Sequence, residues 1–263
     1  MFIDASAPSQ RASRPSPLAM SHRAFLARAS VSDANTVRYF AYGSNLDRGT
    51  FEGTRAMKPR ASTPCVLPGY QLAFNVPGLP YVEPSFASVR VAPADAVERF
   101  ERECHGVAHE ITEAEWARLV ATEGSYDVVD VDCVGYDGAV LKCRTLTHRT
   151  MKNFGERAPS ARYANLLRNG SRFHGLDAEW IEYLDALEVF EPVDLDPMQR
   201  VALAMSVGPT LLAAAPIATA AAGKQIANGD GRRAVIDAFL ETQDVAWRVQ
   251  NEFFEPWIKG NRK

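Results

Sequence analysis

The sequence predicts an α+β fold, and three observations carry that prediction. Strand-like and helix-like segments mix from Val37 to Phe190 without the regular alternation of a βαβ array. A helix with clear punctuation begins at Thr112, directly after an apolar strand-like run. An Asp137-Gly138 turn separates two segments of strand character. Composition agrees: of 263 residues, 46% are hydrophobic and 23% charged, as in a globular chain of one or two domains. The 29 basic and 32 acidic residues leave a net charge of −3, without the basic surplus of a nucleic-acid binder. Cys65, Cys104, Cys133 and Cys143 form no C-x-x-C pair. That spacing argues against a zinc ribbon, a thioredoxin-like motif or a disulfide framework, and makes a reducing, cytoplasmic setting the default.

Residues 1–36 are rich in Ser, Ala, Arg and Pro, with Arg11, Arg14, Arg23 and Arg28 against only Asp4 and Asp33. They read as a disordered tail. An organellar presequence is the competing reading, with Met20 as a second start, and no apolar stretch of secretory type follows the basic residues. Residues 37–190 form the expected main domain. Val37–Tyr42 is β-branched and aromatic and breaks at Gly43-Ser44-Asn45, so a strand enters a loop there. Residues 69–91, punctuated by proline and glycine, read as strands around a long loop. Ala87–Val91 and Gly106–Ile111 are further strands.

Thr112 and Glu115 then form a capping box, with Ile111 and Trp116 as a hydrophobic staple and Gly124 as the stop. Tyr126–Val134 is a strand joined to Val140–Leu146 by a two-residue turn at Asp137-Gly138. In that register Cys133 faces Lys142, and Cys133 and Cys143 point to opposite faces as free thiols. One helix is expected from Ser160 to a terminating Gly170. Another starts at Asp177 and buries Trp180, Ile181, Leu184 and Leu187.

Residues 191–263 read as a linker and helical extension. No charge occurs over 201–223, a length that meets the first criterion for a membrane span. Its apolar content is weak, and Pro209 and Pro216 interrupt it. Ala-rich helices packing on the main domain are therefore preferred over membrane contact through 201–255. A last helix is expected at about 232–255.

Two places carry chemistry on their own account. The Gly43-Ser44-Asn45 bend exposes backbone N–H groups able to hold an anion or oxyanion, although ordinary turn chemistry has the same appearance. Glu123 ends the capped helix, where the helix dipole and burial both oppose ionisation, a setting suited to a general base but also common at helix ends. His105 and His109 have metal-ligand spacing, but they sit in a strand-like run without a third ligand.

The octapeptide Tyr39-Phe40-Ala41-Tyr42-Gly43-Ser44-Asn45-Leu46 resembles the signature of the γ-glutamylcyclotransferases. The likeness continues in order through His105-Gly106-Val107-Ala108, the helix Ala114–Gly124 ending in Glu-Gly, Tyr126–Val131, Cys143-Arg144 and Pro159-Ser160-Ala161-Arg162-Tyr163. It covers roughly residues 38–190. The resemblance implies a small mixed β-barrel with flanking helices, no cofactor or metal, and a small γ-glutamyl substrate as the partner. It further implies cyclisation of the γ-glutamyl group to 5-oxoproline with release of an amine or amino acid. Glu123 is then the catalytic acid/base, with Tyr39, Tyr42, Gly43, Ser44, Asn45, Tyr126 and Tyr163 as substrate-binding residues.

The chain departs from the animal members at Ser85-Phe86-Ala87-Ser88, where they carry G-G-x-A, and in the Pro77–Pro84 insertion. Members with long C-terminal additions occur in fungal secondary metabolism and act on glutathione adducts, which sets one expectation for the substrate. Two alternatives remain beside it. One is a non-catalytic domain of the same fold tethered to a membrane or partner, and the other is an enzyme acting on γ-glutamylamines.

Overall fold

The structure, a computed structural model, describes residues 35–123, 126–149, 151–205 and 229–260. The N-terminal segment to residue 34, residues 206–228 with most of the uncharged stretch, and the expected helix stop Gly124 lie outside the described residues.

Strand β1 (Thr36–Ala41) runs into a 3₁₀ turn (Ser44–Leu46) and a wide helical turn (Gly49–Thr54). Strands β2 (Ala61–Pro68), β3 (Tyr70–Leu79) and β4 (Glu83–Val91) follow, then a one-turn helix α1 (Arg99–Arg102) and β5 (Glu103–Thr112). Helix α2 (Glu113–Thr122) leads to β6 (Asp127–Gly135) and β7 (Val140–Thr147), and helices α3 (Ala161–His174) and α4 (Ala178–Ala186) complete this part. A closed five-stranded barrel has the order β1-β5-β2-β6-β7, while β3 and β4 make a separate two-stranded sheet. The barrel is mixed: β1 pairs parallel to β7, with Tyr39 opposite Arg144, and β2 pairs antiparallel to β5 and β6. Phe40, Leu67, Ile111, Leu119, Leu167 and Trp180 are fully buried in the core that joins barrel and helices.

Helix α2 begins as its sequence dictates. Thr112 Oγ1 accepts from the Glu115 amide at 3.1 Å, and the Glu115 carboxylate accepts from the Thr112 amide at 2.9 Å. Ile111 and Trp116 are both buried beside this cap.

Four local expectations need correction. The 69–91 region is a hairpin of two long strands joined only by residues 80–82. Its prolines are accommodated because a two-stranded sheet leaves an unpaired edge on each strand. The β6–β7 connection is a three-residue loop, with the Gly135 amide bonded to the Ala139 carbonyl at 2.8 Å and Gly138 at φ +86°. Hence Cys133 lies opposite Leu141, while Lys142 lies opposite Asp132 and Cys143 opposite Val131. One residue of register inverts the facing, so the two thiols share the buried side; both are free.

Gly170 does not terminate α3; Gly175 does, with φ +64°. Gly170 lies within the helix because a Cβ there would stand 2.4 Å from the Leu46 backbone carbon. In α4, Trp180 and Leu184 are buried as expected, whereas Ile181 and Leu187 are only half-buried.

Beyond a helical stretch at 197–205, helix α5 (Gly229–Val249) continues through a wide turn (Gln250–Phe254) into α6 (Glu255–Gly260). Helix α5 docks on the segment after β7. Leu240 and Trp247 bury against Met151 and Phe154, whose ring meets the indole at 4.6 Å. Arg149 links Asp127 of β6, at 2.5 and 2.9 Å, to Asp237 of α5. The Asp244 carboxylate accepts from the Asn153 backbone and side chain at 2.6 and 2.5 Å. Among the described residues, no helix is long and apolar enough to cross a membrane.

Candidate active site

The end of β1, the 3₁₀ turn, the end of α2 and the start of α3 converge on one cavity of about 450 Å³. Every residue that the family resemblance marked lines it: Glu123, Tyr39, Tyr42, Gly43, Ser44, Asn45, Tyr126 and Tyr163. They come from three separated stretches of chain, brought together because β1 lies in the barrel between the neighbours that carry α2 and α3.

The tyrosines are locked by directional bonds as well as packing. Tyr42 donates its hydroxyl to the Leu146 carbonyl on β7. The Tyr126 hydroxyl donates to the Ala87 carbonyl at 3.0 Å, and the Ala87 amide donates to the Tyr163 oxygen at 3.1 Å. The backbone of β4 at Ala87 is thus held between two cavity phenols. Asn45 turns inward and donates to the Tyr39 hydroxyl at 2.9 Å. Burial pushes the Tyr39, Tyr42, Tyr126 and Tyr163 phenols up, so they stay neutral donors and acceptors. Gly43 sits where space is scarce: a Cβ would approach the Tyr163 hydroxyl to 3.1 Å.

Glu123 is the C-cap of α2, with its side chain only 14% exposed. Burial raises its carboxyl above the usual carboxylate range, and an ion pair with Arg55 works against that rise. The charge on Glu123 is felt by Tyr39, Tyr126 and Tyr163, which places the carboxylate among the phenols. Arg55 is held in turn by the Thr122 hydroxyl, which accepts from its Nη1 at 3.0 Å.

Sequence reasoning missed Arg55, which also lines the cavity together with Thr50 and Thr54. These residues lie just after the signature, in the wide turn that carries the chain from Leu46 back over the cavity, and only the rarity of that turn distinguishes them. Also missed was Gln243 of α5, which reaches the same cavity from the far end of the chain. Val76 and Pro77 of β3 and Phe86 of β4 form an apolar side, and Phe86 meets Tyr163 edge-on at 5.1 Å.

His105 and His109 take structural positions. His105 stacks on Trp180 and contacts the Tyr136 hydroxyl at 2.8 Å, and His109 stacks on Phe51 and contacts the Ser62 hydroxyl at 2.9 Å.

The fold is a closed mixed barrel, and one carboxylate stands among neutral phenols in its cavity. In fold it resembles the crystal structure of an uncharacterised protein from Homo sapiens, with TM-score 0.50 and 20% identity over 64% of this chain and 98% of that one. In sequence the chain is 35% identical over 163 residues to the γ-glutamyl cyclotransferase aclK of Aspergillus oryzae, covering 55% of this chain and 59% of that protein. It is 33% identical over 176 residues to the γ-glutamyl cyclotransferase gliK of Aspergillus fumigatus, covering 59% and 63% respectively. No family model matches the chain. The chain spans about three-fifths of the length of these two relatives.

Proposed function

We propose that the protein is a γ-glutamyl cyclotransferase in which Glu123 moves the protons of an intramolecular ring closure. The substrate's α-nitrogen bonds to its γ-carbonyl carbon, and the C–N bond to the leaving amine breaks. In the process the α-ammonium surrenders two protons to become a lactam N–H, and the leaving nitrogen gains two to depart as an ammonium. A single carboxyl near both nitrogens serves in each direction. Holding the chain bent toward ring closure supplies a large part of the acceleration without any external nucleophile.

The observation that carries this reading is the position of Glu123. Burial raises its carboxyl above the ordinary value, while the ion pair with Arg55 favours the charged form. The Tyr42–Asn45 bend is assigned to the substrate's α-carboxylate or to the developing oxyanion through backbone N–H groups. Tyr163 and Tyr126 are assigned to orienting the glutamyl chain, and Tyr39, braced by Asn45, to the opposite wall.

The substrate proposed is a γ-glutamyl amide of amino-acid or peptide type, glutathione-derived adducts included. A panel of γ-glutamyl-alanine, a glutathione S-conjugate and a γ-glutamylamine, assayed for 5-oxoproline, tests the reading. Release from at least one of the first two is expected. Release from the γ-glutamylamine alone moves the assignment to that class, and release from none overturns it.

A further inference from the structure

A second cavity, of about 430 Å³, lies beyond the apolar side of the first. Two elements run from one to the other. Helix α5 gives Gln243 to the first cavity and Trp247 to the second, four residues and so about 6 Å further along the axis. The β3–β4 hairpin gives Pro77 and Phe86 to the first and, nearer its tip, Pro80, Tyr81 and Pro84 to the second.

Resting on the ring-closing function above, we propose that the second cavity is the subsite for the leaving group, with Gln243 at the junction. The group it takes is a flat aromatic ring that carries no carboxylate.

Three features carry this. Tyr81 holds φ +62° at the hairpin tip, a conformation costly for a residue with a side chain, and in it the ring lines the cavity. The Arg157 guanidinium lies 4.8 Å from the centre of the Trp247 ring, so the wall is planar and aromatic. Arg157 donates from Nη2 to Asn251 at 2.6 Å, which holds the guanidinium over that ring. Glu191 and Glu255 also line the cavity and outnumber the single arginine, which disfavours a carboxylate there.

The test uses the full chain carrying Glu123→Gln, so that binding is read without turnover. Calorimetric titration with γ-glutamyl-phenylalanyl-glycinamide and with γ-glutamyl-alanine is expected to show the first binding at least tenfold more tightly. Tyr81→Gly removes the ring while glycine readily keeps the positive φ. It is expected to erase that margin, and Gln243→Ala to reduce it. Equal affinity for the two ligands, or a margin untouched by Tyr81→Gly, overturns the subsite. Production of 5-oxoproline by the protein with Glu123 intact is measured separately. Its absence alongside an intact affinity margin counts against ring closure and not against the subsite.

Discussion

Gly43 leaves little room beside Tyr163, and a double-mutant cycle measures that crowding. In Gly43→Ala the new Cβ would stand 3.1 Å from the Tyr163 hydroxyl and 3.5 Å from the Ala87 Cβ. The phenol has little freedom to yield: it is buried, meets Phe86 edge-on at 5.1 Å and accepts the Ala87 amide at 3.1 Å. Overpacking of this kind costs about 1–3 kcal/mol. Displacing the hydroxyl also strands a buried amide, at about 1–3 kcal/mol. We expect Gly43→Ala to cost about 2 kcal/mol of stability and to lower kcat/KM for 5-oxoproline release about tenfold, near 1.4 kcal/mol. Tyr163→Phe removes the offending oxygen, so Gly43→Ala added to it should cost less than about 0.5 kcal/mol more, a coupling of about 1.5 kcal/mol. Urea denaturation of the four proteins reads the cycle. Strictly additive costs would refute the claim that these two residues share one crowded space.

Other perturbations follow from the same geometry. Arg55→Gln removes the cation that opposes the burial of Glu123, so the acidic limb of the kcat/KM profile should move to higher pH; an unmoved limb contradicts the pairing. Gly170→Ala presses on the Leu46 backbone at 2.4 Å and should destabilise the fold by about 2–3 kcal/mol while disturbing the site turn that ends at Leu46; a neutral effect in denaturation would show that contact to be slack. His109 and His148 are pushed down by burial to about 3 and about 4. Since the unfolded chain binds those protons first, stability should be full above pH 6.5 and fall with acidification towards pH 4, by about 1.4 kcal/mol per pH unit for each histidine. Denaturation midpoints that stay level from pH 7 to pH 4 would contradict it.

Much of the fold is written locally. The α2 cap and the Asp177 cap each rest on neighbours in sequence, and each appears as read. Failures occur where a distant partner decides. Gly170 looks like a stop, but Leu46, far away in the chain, makes it a packing residue and lets α3 run on to Gly175. Asp137-Gly138 has the chemistry of a two-residue turn, yet the extra loop residue shifts the register by one and inverts which strand partners meet. Within the site, the signature, Glu123 and Tyr163 were legible because their residue types and order resemble a family pattern. Arg55 and Gln243 carried no such mark. Arg55 becomes visible only as the ion-pair partner of Glu123, and Gln243 only once α5 docks through Arg149, Asn153 and Phe154.

The role of Glu123 is the centre of this account, and one comparison reaches it directly. Glu123→Gln keeps the side chain's size and removes its capacity to carry a proton. Turnover of γ-glutamyl-alanine to 5-oxoproline should then fall by about 10²–10⁴-fold at unchanged folded stability, with the product of the ring closure disappearing in step with the released alanine. Turnover within a few-fold of the unaltered protein would place the proton transfer on some other group and contradict the account.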